Sequence, residues 1–235
     1  SIKMLSNHTS GLTRMPNNMW FDLLFNSKNP YKKYDLNRME KYYKRRMKMN
    51  RPPGESVLYS NIGVAFLGHV LGYIENISYD QLLDKYVISM YGMTSTSLDR
   101  NKIKDNLIFG VNNNGEVVSN WDLSAFNPAG GILSSVEDLS RFARANFMED
   151  PILELQREKT AKYNENIDIA LGWLIFNEGE EIIYWHNGGT GGYSSDMSIN
   201  VNAKKGIIIL SNVSTFVKET QQFRSLNFSL LSEMD

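Results

Sequence analysis

A chain of 235 residues can form one large domain or two lobes around a substantial core. Its composition, 42% hydrophobic and 22% charged, is that of an ordinary globular protein, and a net charge of −1 gives no global pull toward nucleic acid or an anionic membrane. Zero cysteines exclude disulfides and thiolate metal sites, and no apolar run approaches the roughly 18 residues of a spanning helix.

In chain order, residues 35–49 read as a helix, with Leu36, Met39, Tyr42 or Tyr43 and Met47 spaced for one face. Lys41, Lys44, Arg45, Arg46 and Lys48 lie opposite, a charge run best read as a solvated face. Pro52 and Pro53 are expected to end this helix. A second helix is predicted over 62–74, with Ala65, Phe66, Leu67, Val70 and Leu71 inward. Gly63, Gly68 and Gly72 cost helix propensity there, about 1 kcal/mol each, so close packing is expected to compensate.

A third helix near 79–89 leads into a loop at 91–96. Residues 105–127 are Asn-rich and irregular, with a hairpin turn expected at Asn113-Asn114-Gly115. Ser134-Ser135-Val136-Glu137 matches a capping box before a helix over 135–148, whose Val136, Leu139, Phe142 and Ala143 face a core. Strands are expected at 169–176, 181–187, 194–201 and 206–211, then a closing helix over 215–233 capped by Thr215. Helices first, then an antiparallel meander, make this an α+β chain: a mostly helical lobe over 1–127 and a sheet with flanking helices over 128–235. No internal repeat is visible.

Two segments carry chemistry. In Trp185-His186-Asn187-Gly188-Gly189-Thr190-Gly191-Gly192-Tyr193, glycines crowd behind the β-branched and aromatic run Ile182–Trp185. Such a strand end offers one titratable ring and bare backbone N–H groups at one spot, which suits a carbonyl becoming an oxyanion. The competing reading is a glycine-rich hairpin turn. The second segment, Arg51-Pro52-Pro53-Gly54 through Tyr59-Ser60-Asn61, is a Pro-Gly turn, an apolar run and a helix start.

With His8-Thr9-Ser10-Gly11-Leu12 and Pro128-Ala129-Gly130-Gly131, these segments resemble the serine β-lactamase and penicillin-binding-protein-like hydrolases. The likeness is to the branch of class C β-lactamases, D-amino-acid peptidases and esterases. It runs from residue 1 to about 212; each motif alone is weak, and four in order are specific. It implies the β-lactamase/transpeptidase-like fold, an α+β helical lobe beside an antiparallel sheet, and an acyl-enzyme mechanism on D-amino-acid peptides, esters or β-lactams. The Tyr91-Gly92-Met93 loop also looks like a family stretch that only packs.

Residue by residue, the resemblance makes Tyr59 the proton shuttle, its phenolate favoured by nearby cations. Asn61 orients the substrate amide, and the Gly189 N–H supplies half of an oxyanion hole. His186 stands where β-lactamases carry Lys in a Lys-Thr-Gly motif, and Asn187 where they carry Thr, so robust β-lactam hydrolysis is put in doubt. Asn187, Gly188 and Thr190 are assigned to substrate binding. Bland readings compete: Tyr59 as a packing residue, Asn61 as a helix N-cap, and His186 as an imidazole satisfied by backbone. His8 and His69 are assigned to structure, and three scattered histidines give neither a metal site nor any cofactor.

The family's first motif, Ser-x-x-Lys, is not found: no Ser in the chain has Lys three residues later, and Thr215-Phe216-Val217-Lys218 is the nearest match. The expectation is truncation, with the N-terminal part missing. It carries four corollaries: no turnover by these 235 residues, an unpaired sheet edge, self-association through that edge, and a second copy or a broad groove beside Tyr59 and His186. The alternative is a non-catalytic homologue binding peptidoglycan-like or peptide ligands. The expected partner is a small peptide, ester or β-lactam, with no nucleic acid. A membrane-surface or nucleic-acid module on residues 41–51 rests on a local charge run alone. Localisation is open on composition; the resemblance alone suggests an extracytoplasmic or membrane-associated bacterial protein.

Overall fold

A computed structural model describes residues 1–179 and 181–234. In the first part of the chain, α1 (Ile2–Ser6), α2 (Trp20–Phe25), α3 (Leu36–Arg45) and α4 (Asn61–Glu75) follow in order. Asp35 caps α3 by accepting from the Arg38 N–H. That helix ends at Arg45, well before Pro52, so the prolines do not terminate it. Met39 and Tyr42 are buried as expected, whereas Leu36 and Met47 are exposed, and the Lys41–Lys48 basic run is solvated. Met39 and Tyr42 join Leu5, Leu12, Met19, Tyr34, Ile62, Ala65 and Phe126 in one apolar core.

The glycines of α4 pack as anticipated. A Cβ on Gly68 would lie 2.4 Å from the Pro128 ring, and one on Gly72 would lie 2.7 Å from the Ile77 carbonyl oxygen. Leu71, expected inward, is instead exposed. The third predicted helix is a succession of α5 (Tyr79–Leu83), a π-helical turn (Asp84–Ile88) and α6 (Ser89–Tyr91). Its following loop packs through Met93 and Thr96, whose hydroxyl donates to the Asp138 carboxylate. The hairpin turn at 113–115 is present, closed by the Asn112 N–H donating to the Glu116 carbonyl.

Next come α7 (Asn127–Gly130), α8 (Val136–Ala145) and α9 (Pro151–Arg157). The cap of α8 is shifted by one residue from the expected box: Ser135 accepts from the Asp138 N–H, and Ser134 pairs with the Thr96 hydroxyl. Val136 is consequently turned outward.

Six strands then form one antiparallel meander: β1 (Ala161–Lys162), β2 (Ile167–Ile169), β3 (Leu174–Glu178), β4 (Glu181–Gly189), β5 (Ser194–Asn200) and β6 (Lys205–Ser211). The single strand predicted over 169–176 is two, because the chain turns at Gly172 (φ +96°) and the Ala170 N–H donates to the Trp173 carbonyl. β1 and β2 are too short to show an alternating pattern. In the order β1 to β6, β6 is an edge whose outer side carries no named strand among the described residues.

Residues facing one way from the sheet, among them Ile175, Tyr184, Met197, Ile199 and Ile208, pack with α8 through Phe142 and Ala143. The other face meets α10 (Phe223–Glu233), where Phe228 sits edge-on to Phe176 at 5.1 Å. That closing helix begins later than expected, after a 3-10 turn over 218–222, and Thr215 does not cap it.

A buried carboxylate lies under α10. Asp196 on β5 is 2% exposed and accepts from the Trp185 indole N–H at 2.8 Å. Burial raises its pKa to about 6, against the opposing pull of the Trp185 bond, the Arg224 charge and Asn227. Because the folded chain holds this proton more tightly than the unfolded one, the strain is absent below pH ~4, where both states are protonated. Stability then falls as pH rises through 6, by on the order of 2–3 kcal/mol. Asp196→Asn keeps an acceptor for Trp185, so it should raise Tm at pH 8 and leave it nearly unchanged at pH 4. A Tm difference that is flat with pH would contradict this.

Candidate active site

The His8–Leu12 segment fastens the loop that carries Tyr59. The N–H groups of Leu58, Gly54 and Asn50 donate to the carbonyls of His8, Thr9 and Gly11, and Leu12 bridges Met49. Gly11 permits this approach: at φ +73°, a Cβ there would lie 2.0 Å from the Arg51 carbonyl oxygen. The Ser60 N–H donates to His8 Nδ1 at 3.1 Å, and the Arg14 carbonyl accepts from the N–H groups of Asn61 and Ile62. The chain therefore enters α4 in a fixed direction with the Tyr59 ring held against the His8 ring, centroids 4.2 Å apart.

Ser60, not Asn61, caps α4: its hydroxyl accepts from the Gly63 N–H at 2.9 Å and donates to the Thr13 carbonyl at 2.7 Å. The capping explanation of Asn61 therefore falls, and its amide nitrogen instead approaches the Met15 sulfur at 3.6 Å. His8 is buried and pushed down to about 4, first by desolvation and then by the His186 charge, so it is a neutral acceptor for Ser60.

His186 reaches the same spot from the sheet, its ring centroid 6.4 Å from that of Tyr59. Side chains alternate along a strand, so His186 shares the Tyr184 face of β4 and lies opposite Trp185. Its Nδ1 is 2.8 Å from the Asn187 carbonyl oxygen. A carbonyl can only accept, so Nδ1 carries the proton and Nε2 is left as the basic nitrogen. Burial lowers the His186 pKa, with the Asn187 carbonyl opposing it. The backbone-satisfied reading thus accounts for one ring nitrogen and leaves the other available.

The glycine segment is both a strand end and a turn. β4 runs through Gly189, and Thr190 closes the hairpin by donating its N–H to the Tyr193 carbonyl at 2.9 Å. In an antiparallel ladder hydrogen-bonded and non-bonded pairs alternate. From the Thr190–Tyr193 bond, the pair Gly189–Ser194 is non-bonded, Gly188–Ser195 is bonded and Asn187–Asp196 is non-bonded. The N–H groups of Asn187 and Gly189 therefore point away from β5. On that side β3 pairs no further than Leu174 with Trp185, so this end of β4 extends past its neighbour. Gly189 is also closed on one face: a Cβ there would lie 2.4 Å from the Thr215 hydroxyl.

The structure thus brings Tyr59 and His186 together, sets Asn61 two residues from Tyr59, and sets Asn187, Gly188, Gly189 and Thr190 along the strand that carries His186. Arg14 and Tyr163 were not anticipated. The Arg14 guanidinium lies over the Tyr59 ring, 5.6 Å from its centroid. Within the described residues burial raises the Tyr59 pKa, the Arg14 charge partly opposes this, and Tyr163 adds to it. The phenol is protonated at neutral pH. No sequence pattern distinguishes Arg14 or Tyr163; both act through space. Two clefts lie around His69, one lined by Tyr73, Tyr79 and Asp99 and the other by Met39, Tyr43 and Phe66. His69 holds the Ala125 carbonyl at 2.7 Å.

Comparison with known proteins agrees with this architecture. Penicillin-binding protein 4* of Bacillus subtilis is 26% identical, the match covering 90% of this chain and 51% of that protein. Protein flp of Staphylococcus aureus is 24% identical over 71% of this chain and 35% of its own length. The chain thus spans about half of the first of these relatives and about a third of the second. Among solved structures, a class C beta-lactamase superposes on all of this chain and 69% of its own with a TM-score of 0.82 at 20% identity. A beta-lactamase/D-alanine carboxypeptidase from Pseudomonas syringae follows at 0.78, 16% identical, over 99% of this chain and 72% of its own. The family model described as Beta-lactamase matches residues 1–226, and the chain belongs to that family of serine β-lactamase and penicillin-binding-protein-like hydrolases.

Proposed function

We propose that these residues form the acid–base and oxyanion-binding side of a serine acyl-transfer centre acting on D-amino-acid peptides, esters or β-lactams. The nucleophile comes from residues outside the 235. The observation that carries this reading is the approach of the Tyr59 and His186 rings to 6.4 Å, beside a strand end with outward N–H groups. Tyr59 carries the proton between nucleophile, leaving group and solvent, and His186 Nε2 accepts a hydrogen bond from the phenol or from substrate. Asn61 orients the scissile amide, the Gly189 N–H receives the developing oxyanion, and Asn187, Gly188 and Thr190 line the substrate strand. The open edge at β6 is where further strands of the whole protein, or a second copy, would pair.

A neutral His186 holds a substrate carboxylate weakly, which favours neutral esters over substrates that carry a carboxylate, β-lactams and D-alanyl-D-alanine peptides alike. His186→Lys in the whole protein places a permanent charge there and is expected to lower KM about tenfold for carboxylate-bearing substrates, with little change for a neutral ester. Steady-state kinetics on a D-alanyl-D-alanine peptide, a chromogenic cephalosporin and a neutral nitrophenyl ester test both points. If the whole protein turns over none of them but binds the peptide, the site is a ligand-binding one and the acyl-transfer reading fails.

A further inference from the structure

The six residues of α2, Trp-Phe-Asp-Leu-Leu-Phe, are arranged inside out. The acid, Asp22, is the buried one at 6% exposure, and it pairs with Arg38 at 2.6 Å. Trp20, Phe21, Leu23, Leu24 and Phe25 are all exposed, Phe25 by 71%. The ion pair fixes the helix to the body, and Trp20 and Phe21 stack with centroids 3.7 Å apart. At about 100° per residue the five apolar side chains sweep an arc of roughly 200°, with Asp22 opposite its middle. A protein groove takes a narrower stripe of about 100°. A helix exposed and apolar over such an arc matches a medium that surrounds it, such as lipid acyl chains.

The charge around it is equally uneven. Residues 14–51 hold eleven Lys and Arg against three Asp and Glu, in a chain whose net charge is −1. Lys28, Lys32 and Lys33, directly after α2, are exposed, as are Lys41, Arg45, Arg46 and Lys48 at and beyond the end of α3. An exposed apolar helix followed in the chain by exposed cations is a combination that binds an anionic lipid surface, aromatic side chains entering the headgroup boundary and cations meeting the phosphates. No helix of the described residues is long and apolar enough to cross a membrane, so the contact would be with one leaflet.

We propose that α2 with the cations that follow it is a peripheral docking surface for an anionic bilayer. The proposal stands independently of the acyl-transfer reading. The test uses the whole protein with vesicles of phosphatidylglycerol and phosphatidylcholine, some carrying bromine on the acyl chains. Bromolipid should quench part of the tryptophan emission, and Trp20→Phe should abolish that part. The triple variant Trp20→Ser/Phe21→Ser/Phe25→Ser should bind at least tenfold more weakly with an unchanged melt, and pure phosphatidylcholine or 0.5 M salt should weaken the wild type similarly. Quenching that persists in Trp20→Phe, or triple-variant binding equal to wild type, overturns the proposal. So does a wild-type dimer that the triple variant converts to monomer without any vesicle binding, which would assign the patch to a protein contact.

Discussion

Replacing Tyr59 by Phe in the whole protein is expected to lower kcat by about 10²–10⁴ while KM changes little. The expectation follows from what the substitution leaves intact. The Phe ring keeps the packing on His8 and the place under Arg14, and the backbone bonds from Ser60 to His8 and from Asn61 to Arg14 do not involve the phenol. Only the proton carrier is lost. Burial raises the phenol's pKa and the Arg14 charge only partly opposes this. Acting as a base then requires the phenolate to be stabilised as substrate and nucleophile assemble, with Arg14 the cation nearest at hand. Arg14→Gln should therefore lower kcat in the same protein, because it removes the charge that stabilises that phenolate. A Tyr59→Phe enzyme with unchanged kcat would make Tyr59 a packing residue.

The second large effect concerns the chain by itself. Removing the nucleophile from a centre of this kind typically costs on the order of 10⁶ in rate, even when every other group is in place. The 235 residues, expressed alone, are accordingly expected to show no turnover of a chromogenic cephalosporin or a nitrophenyl ester. They should still bind a D-alanyl-D-alanine peptide if the strand end and Asn61 form correctly. Turnover within tenfold of the whole protein would place the nucleophile inside these residues.

The elements that were legible in the sequence are those with a local cause. α4 declares itself by apolar periodicity, the hairpin at 113–115 by Asn-Gly chemistry, and β4 by a β-branched and aromatic run ending in glycines. Errors fall where a neighbouring residue offers nearly the same local chemistry. Ser60 and Asn61 are both good caps, as are Ser134 and Ser135, and only the tertiary partners, the Thr13 carbonyl and the Thr96 hydroxyl, decide between them. The strand predicted across Gly172 is split by a turn that the apolar run conceals.

For the site, motif residues could be named but their electrostatics could not. Tyr59 was expected beside stabilising cations, yet a single guanidinium at 5.6 Å does not outweigh burial. The neutral state of His186 likewise depends on desolvation, a property of the assembled pocket. The exposure of α2 shows the same limit in reverse. No element is predicted for it from the sequence, and the Asp22–Arg38 pair shows which side faces in.

The most direct measurement is the position of the acyl adduct. The whole protein should be incubated with a fluorescent penicillin and, separately, a fluorophosphonate, then digested and mapped by mass spectrometry. One stoichiometric adduct on a serine outside residues 1–235, with acylation slowed by Tyr59→Phe, is the predicted result. An adduct on a serine within residues 1–235, or no adduct from either reagent in a protein that binds both, would contradict the account.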